Sequence, residues 1–183
     1  MGTSKALIEV EGQPLIARVA GVLGEVFSEI VVITSSSEIA DAASKPGAPS
    51  LAAIADTVTG KGPLAGISAA LHHFNRPVFC VACDMPHLRA DFIRYMIEQG
   101  EGFDAVVPRV GAYDEPLHAL YLPSCLDAID AELSKSHVGP VDNVFKALRV
   151  RFIDESEART FAPNLRMFDN WNTPEDIKKS EAQ

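Results

Sequence analysis

The fold is decided by residues 77–88, which read Pro77-Val-Phe-Cys-Val-Ala-Cys-Asp-Met-Pro-His-Leu88. Seven mostly apolar residues come first, and such a run predicts a strand buried on both faces, as in a parallel sheet. Asp84 follows, at the end of the strand where open α/β sheets bind ligands. A carboxylate there, beside a phosphate-bearing substrate, suits Mg²⁺. The alternative is an aspartate that caps the next loop.

Composition restricts the classes of function. The 183 residues are 47% hydrophobic and 22% charged, which is typical of a globular domain, and we expect a single domain over residues 1–183. The net charge of −9 disfavours a nucleic-acid partner but leaves room for a small phosphorylated ligand. No apolar stretch has the length of a membrane span, and the first residues lack the pattern of a secretory signal.

The three cysteines are too few for a disulfide framework and favour a reducing cytoplasm. The spacing of Cys80 and Cys83 is similar to that of metal or redox motifs. Residues three apart on a strand point to opposite faces, however, and a zinc site needs more ligands than Cys125 alone could add. Core cysteines are therefore the favoured interpretation.

Helical and strand patterns alternate along the chain, which predicts an α/β fold with a mainly parallel sheet. Strands are predicted at 30–34, 51–56, 77–83, 104–108, 116–122 and 150–153. Helices are predicted from Pro14 onward, from the turn at 60–63 to Leu71, and at 92–97, 123–133 and 143–148, with a further helix start at 172–176. The mixed polar and apolar segment 116–122 is expected to be less buried than the other strands.

A glycine-rich turn, Gly60-Lys-Gly-Pro-Leu-Ala-Gly-Ile67, enters one of these helices. Glycines let the backbone approach a ligand closely, and a helix N-terminus offers free N–H groups to an anion. The turn is not a Walker loop, because the Gly-Lys-Ser/Thr ending is absent. Gly66 inside the helix costs roughly 1 kcal/mol against alanine, which indicates close packing against either a ligand or a strand.

Other polar residues are candidates for a site. Asp56 and Asp84 both end predicted strands, and on neighbouring strands their carboxylates would face one crevice, which suits metal-assisted phosphoryl or nucleotidyl transfer. His118 is the most site-like of the five histidines, although it could equally be a partly buried histidine on a strand. Lys5, judged on its own, is a solvated surface group.

Five motifs occur in a characteristic order along nearly the whole chain. They are Met1-Gly-Thr-Ser-Lys5, Gly62-Pro-Leu-Ala-Gly-Ile67, Cys83-Asp-Met-Pro86, Glu115-Pro-Leu-His-Ala-Leu-Tyr121 and Phe168-Asp-Asn-Trp-Asn-Thr-Pro-Glu-Asp176. In this order they resemble the molybdenum cofactor guanylyltransferases of the MobA-like family. The Gly-Pro-Leu-Ala-Gly run favours the guanylyl member over the related cytidylyl one.

The resemblance implies a Rossmann-like three-layer α/β/α fold of the nucleotide-diphospho-sugar-transferase type. It also implies Mg²⁺-dependent transfer of GMP from GTP to a molybdenum-molybdopterin cofactor, with release of pyrophosphate and with Mn²⁺ as the alternative metal. Molybdoenzymes or cofactor-delivery proteins would be its protein partners.

The resemblance also implies roles for individual residues. Lys5 and Asp84 would be catalytic, and Asp84 would hold the metal. The nucleotide would be contacted by Lys5, Asp56, Gly62, Pro63, Leu64, Gly66 and Asp84. The acceptor pocket would contain His118, Asn170, Asn172 and Thr173.

The sequence starts at the methionine of the family's Arg-Met-Gly signature. The resemblance therefore implies that the first strand and the Leu-Ala-Gly-Gly loop are missing from these residues, and we expect a form that carries them to bind GTP more tightly. Two alternatives stay open. One is a related nucleotidyltransferase, using CTP or a sugar phosphate, and the other is a truncated homologue that binds without catalysis.

Overall fold

The computed structural model describes residues 5–10, 12–43, 51–55 and 61–171. The helices are α1 Leu15–Gly24, α2 Ser37–Ala43, α3 Pro63–Phe74, α4 Ala90–Glu98, α5 Leu126–Leu133, α6 Asp142–Phe145 and α7 Glu155–Arg159. The strands are β1 Glu9–Val10, β2 Gln13–Pro14, β3 Ile30–Thr34, β4 Leu51–Ala55, β5 Val78–Val81, β6 Ala105–Val110, β7 Tyr113–Asp114, β8 His118–Tyr121 and β9 Val150–Ile153. Short 3₁₀ turns occur at Lys5–Leu7, Pro123–Cys125 and Arg166–Phe168. The helix start predicted at 172–176 lies outside the described residues.

The strands form an α/β architecture, as predicted. β3 and β4 pair in parallel along their full length. In the larger sheet the order is β5-β8-β6-β9, with the short β7 paired to the end of β6. β8 is antiparallel to both β5 and β6, and β9 is parallel to β6. β5, β6 and β9 therefore run in one direction, and β8 is the reversed strand among them.

β8 is the strand whose environment the sequence predicted wrongly. All four of its residues are buried, although the mixed segment 116–122 was expected to be less buried. The reason is its position between two strands: β5 pairs along its whole length, and β6 pairs with Leu120 and Tyr121. Tyr121, which is fully buried, donates its hydroxyl hydrogen to the carbonyl oxygen of Pro116 at 2.8 Å, so its polar end is satisfied inside the core.

β5 is shorter than predicted, since it ends at Val81 rather than at residue 83. The amide of Ala82 still donates to the carbonyl of Leu117 at 3.1 Å, and the chain then turns through Cys83 and Asp84. Asp84 therefore lies in a turn just beyond the strand rather than at its last position. β4 ends at Ala55, and Asp56 lies outside the described residues.

The core lies on both faces of the larger sheet. On one face, apolar residues of α3, α5 and α6 pack around Tyr121, among them Leu71, Ile129 and Val144. On the other face, α4 and the end of the described chain pack around Phe92. Fully burying a large aliphatic or aromatic side chain contributes about 1.5–3 kcal/mol, so these two clusters hold the helices that surround the site. Within the described ranges no helix has the length and apolar character needed to cross a membrane.

Candidate functional site

A groove of about 720 Å³ lies between β3 and β5 and is covered by α1 and α3. We call it the β3–β5 groove, and all residues of both strands line it. Its lining also includes Thr34 at the end of β3, Pro63 and Gly66 at the start of α3, and Asp84 in the turn after β5. The groove therefore brings together two of the regions that the sequence singled out, the glycine-rich turn and the aspartate turn.

The start of α3 is shaped by Gly62, which precedes the first helical residue with φ of 68°. This left-handed φ favours glycine, and Pro63 at the first helical position needs no N–H partner. Gly66 lies one turn further on, where an added Cβ would meet the side chain of Ile33 at 3.8 Å, an ordinary contact. Leu64 is buried in the core, so its side chain is not available to a ligand.

The turn at Asp84 is tied to the end of the described chain. The backbone amide of Trp171 donates to the carbonyl oxygen of Asp84 at 2.9 Å. Trp171 is itself buried against Leu15 and makes an edge contact with the ring of His87, with centroids 5.2 Å apart. Its exposed neighbour Asn170 is therefore held near the Asp84 turn, while Asn172 and Thr173 lie outside the described residues.

Lys5 is also near this turn. Its ammonium lies close enough to Cys83 to lower the pKa of that thiol, although burial, followed by the Asp84 carboxylate, leaves the pKa raised overall. Lys5 is exposed and belongs to the first 3₁₀ turn, whose Ala6 packs in a cluster that includes Cys83. A cation and a carboxylate thus flank the same cysteine.

His118 is placed where it cannot contact an acceptor. It is fully buried, and its ring is surrounded by Phe79, Phe92 and Phe168 at centroid distances of 5.3, 5.7 and 5.1 Å. Among the described residues neither ring nitrogen has a hydrogen-bond partner, and burial lowers the pKa of His118 to about 3. The acceptor role expected for His118 does not fit this position, because its side chain is enclosed by aromatic rings in the core.

The described residues do not contain a group of three or more histidine, cysteine, aspartate or glutamate side chains that could hold a metal. A site for a hard cation that relies mainly on substrate phosphates needs only one or two protein carboxylates, however. Asp84 is half-buried at the groove and supplies one carboxylate.

With this geometry in view, the chain can be compared with known proteins. A family model described as the MobA-like NTP transferase domain matches residues 1–150. The chain belongs to the MobA-like NTP transferase family. The resemblance found in the sequence motifs is thereby confirmed.

Comparisons with individual proteins agree with this family membership. A protein of Pelotomaculum thermopropionicum named "Probable molybdenum cofactor guanylyltransferase" is 40% identical, with the match covering 98% of this chain and 85% of that protein. The crystal structure of molybdopterin-guanine dinucleotide biosynthesis protein A from Archaeoglobus fulgidus matches with a TM-score of 0.84 and 29% identity, over 99% of this chain and 90% of that chain. The 2-C-methyl-D-erythritol 4-phosphate cytidylyltransferase of Thermus thermophilus matches with a TM-score of 0.69 over 97% of this chain and 92% of that chain. Its identity is only 14%, so it shows a shared fold alone.

One titratable residue of this MobA-like chain was not selected from the sequence. Glu115 is half-buried, and burial, followed by the charges of Asp114 and Asp142, raises its pKa to about 7. It opens the quoted motif at 115–121, so the motif was the available signal. The sequence could not show that Asp142, on α6, lies near it.

Proposed function

We propose that this chain transfers GMP from GTP to a molybdenum-molybdopterin cofactor, releases pyrophosphate, and works in the cytoplasm. The observation that carries the proposal is the meeting of the Asp84 turn with the start of α3 at the β3–β5 groove. The names of the similar proteins support the choice of guanine and of this acceptor. The cysteines at 80, 83 and 125 are free thiols, which supports a reducing compartment.

The nucleotide phosphates would bind at the start of α3. This helix has 12 residues, and its N-terminus presents a positive dipole end and backbone N–H groups. Gly62 leaves room for close approach, because an added Cβ there would meet no atom within 4 Å, whereas the corresponding direction at Gly66 faces Ile33 of β3. Gly66 stays a proposed nucleotide contact through its backbone. Lys5 adds a positive charge on the Cys83 side of the same region.

Asp84 would hold the metal ion together with substrate phosphates. A carboxylate beside a phosphate site is the donor set that Mg²⁺ and Mn²⁺ select. When bound, the ion would supply neutralisation of the phosphate charge. Asp84 is held in place for this role by the Trp171 amide on its carbonyl oxygen.

The acceptor would lie on the Asn170 side of Asp84. Asn170 is exposed next to the buried Trp171, and its side-chain nitrogen donates to the carbonyl oxygen of Phe168 at 3.4 Å, a long bond. Asn172 and Thr173 follow directly in the sequence and are proposed as further acceptor contacts. Molybdoenzymes or cofactor-delivery proteins would receive the product.

The reaction is a displacement at phosphorus. A phosphate oxygen of the acceptor forms a bond to the α-phosphorus of GTP, and the bond from that phosphorus to the oxygen bridging the α- and β-phosphates breaks. The electron pair leaves with pyrophosphate. The chain's own contribution is to orient two anions against each other and to offset their repulsion with Lys5 and the α3 N-terminus.

The proposal is tested by replacing Asp84 with asparagine and measuring pyrophosphate release with GTP, molybdopterin-type acceptor and Mg²⁺. We expect Asp84→Asn to fold normally and to lose transfer, because asparagine keeps the shape but lacks the charge that a hard cation selects. Asp127→Asn, an exposed aspartate on α5, is the matched control and should retain activity. Near-normal turnover in Asp84→Asn would show that Asp84 does not bind the metal. Preference for CTP over GTP in the unaltered chain would refute the guanylyl assignment.

A further inference from the structure

The C-terminal end of α5 lies beside the turn that enters α3. Along the contact between the two helices, the hydroxyl of Ser68 donates to one carboxylate oxygen of Asp130 at 2.9 Å, and the other oxygen lies 3.2 Å from Nε2 of His72. Just ahead of α3, the ammonium of Lys61 donates to the carbonyl oxygen of Leu133, the last residue of α5. The two helices therefore run in opposite directions, and the end of one meets the start of the other.

The charges of α5 oppose an anion near its C-terminal end. A helix C-terminus carries about half a negative charge, which basic residues in the last turn offset in many helices. The α5 sequence, Leu-Asp-Ala-Ile-Asp-Ala-Glu-Leu, contains no basic residue, and its last turn includes Asp130 and Glu132. Lys135 follows the helix, but its ammonium is paired with Glu132. Lys61 therefore supplies, from outside the helix, a cation at the carbonyl end of α5.

The start of α3 has the opposite character. The first turn of this helix contains no acidic side chain, and both Gly62 and Pro63 are exposed. The positive end of the α3 dipole is therefore not offset by the helix's own residues. Because Lys61 directly precedes Gly62 and reaches the last carbonyl of α5, the positive and negative helix ends are close neighbours. Without the Lys61 charge, the end of α5 would weaken the attraction of an anion to the start of α3.

We infer that Lys61 is a positioning residue for the nucleotide, because it offsets the negative end of α5 and so keeps the start of α3 attractive to the phosphates of GTP. The inference rests on the proposed function, in which those phosphates bind at the start of α3. Lys61 acts through α5, since its ammonium is bonded to the carbonyl oxygen of Leu133. The interaction of one charge with a helix end changes an equilibrium constant by about two- to fivefold, which sets the size of the expected effect.

The test compares three variants with the unaltered chain: Lys61→Met, Lys61→Arg, and Lys61→Met combined with Ser134→Lys. Methionine keeps an unbranched side chain but removes the charge, whereas arginine retains the charge. Ser134 is exposed and directly follows α5, so a lysine there places a cation at the same helix end by a different route. Lys146→Met removes an exposed lysine directly after α6 and is the matched control.

Calorimetry with GTP and Mg²⁺ at low salt measures binding, and pyrophosphate release gives KM and kcat. We expect Lys61→Met to weaken GTP binding and raise the KM for GTP by about two- to fivefold with kcat nearly unchanged. The difference should shrink at about 1 M salt, where charges are screened. Lys61→Arg and the double variant should recover most of the affinity, and Lys146→Met should match the unaltered chain. Recovery in Lys61→Arg but not in the double variant would assign Lys61 to direct phosphate contact and overturn the inference.

Urea unfolding without nucleotide separates this inference from the proposed function. Lys61→Met should unfold at lower urea than the unaltered chain, and Ser134→Lys should restore the midpoint, because both effects arise at the end of α5. An unchanged midpoint in Lys61→Met would overturn the inference, as would GTP affinity equal to that of the unaltered chain. Failure of the unaltered chain itself to bind GTP would instead refute the proposed function, and the positioning role with it.

Discussion

Replacing His118 with phenylalanine should make the stability of the protein less sensitive to acid. His118 is fully buried among three phenylalanine rings, and burial lowers its pKa to about 3. In the unfolded chain its pKa returns to about 6.5, so between these values the unfolded state binds more protons than the folded state. Stability contributed by the neutral histidine is therefore present above about pH 6.5 and is lost as the pH falls toward 3.

The size of the effect follows from the same two pKa values. At about pH 5 the protonated form of His118 outnumbers the neutral form by roughly 30 to 1 in the unfolded chain, while in the folded protein the histidine stays neutral. This difference lowers the free energy of unfolding by about 2 kcal/mol relative to pH 7.5. His118→Phe keeps an aromatic ring in an aromatic cage and removes this contribution. The other titrating groups are common to both proteins, so they cancel in the difference.

The assay is urea unfolding of the unaltered chain and of His118→Phe at about pH 7.5 and pH 5. We expect the unaltered chain to lose about 2 kcal/mol more than the variant over this interval. His137→Gln changes an exposed histidine and should leave the pH dependence unchanged. Equal losses for the unaltered chain and His118→Phe would refute the buried neutral histidine, as would a His118 pKa near 6.5 measured by NMR.

Two further substitutions test the cost of a half-buried carboxylate and of a glycine inside α3. Glu115→Gln should stabilise the protein at about pH 8 by about 1–2 kcal/mol after allowance for solvent screening, with little effect near pH 4.5. In the folded protein burial, together with Asp114 and Asp142, raises the pKa of Glu115 to about 7, so its charged form costs stability as the pH rises. Identical urea midpoints for the unaltered chain and Glu115→Gln at pH 8 would contradict this. Gly66→Ala should raise the free energy of unfolding by up to about 1 kcal/mol, because its new Cβ makes only an ordinary contact with Ile33 and alanine is the better helix former. A loss of stability in thermal or urea unfolding would show that helix–strand packing requires the glycine.

Much of the secondary structure could be predicted, because its signals are local. The apolar run of β3 and the proline at the start of α3 mark those elements where the structure has them. The predicted helix at 123–133 is present as a 3₁₀ turn followed by α5, and β9 spans the predicted residues. These features depend on residues within a few positions of one another.

The environment of β8 could not be predicted in this way. Its mixture of polar and apolar residues is typical of a half-exposed strand, and only the sheet order shows that it lies between β5 and β6. The same long-range pairing buries His118, which the motif alone suggested for the acceptor pocket. The neighbours of Glu115 also depend on tertiary structure, since Asp142 belongs to α6 and approaches only when the sheet is assembled.

The candidate site depends on pieces of chain that no local pattern connects. The carbonyl oxygen of Asp84 accepts a hydrogen bond from the amide of Trp171, and the amide of Ala82, just before the turn, donates to the carbonyl oxygen of Leu117. Lys5 approaches the same turn from the start of the described chain. All of these converge near the Asp84 end of the β3–β5 groove, while an exposed ion pair between Glu29 and Arg76 lies where the chain enters its two strands.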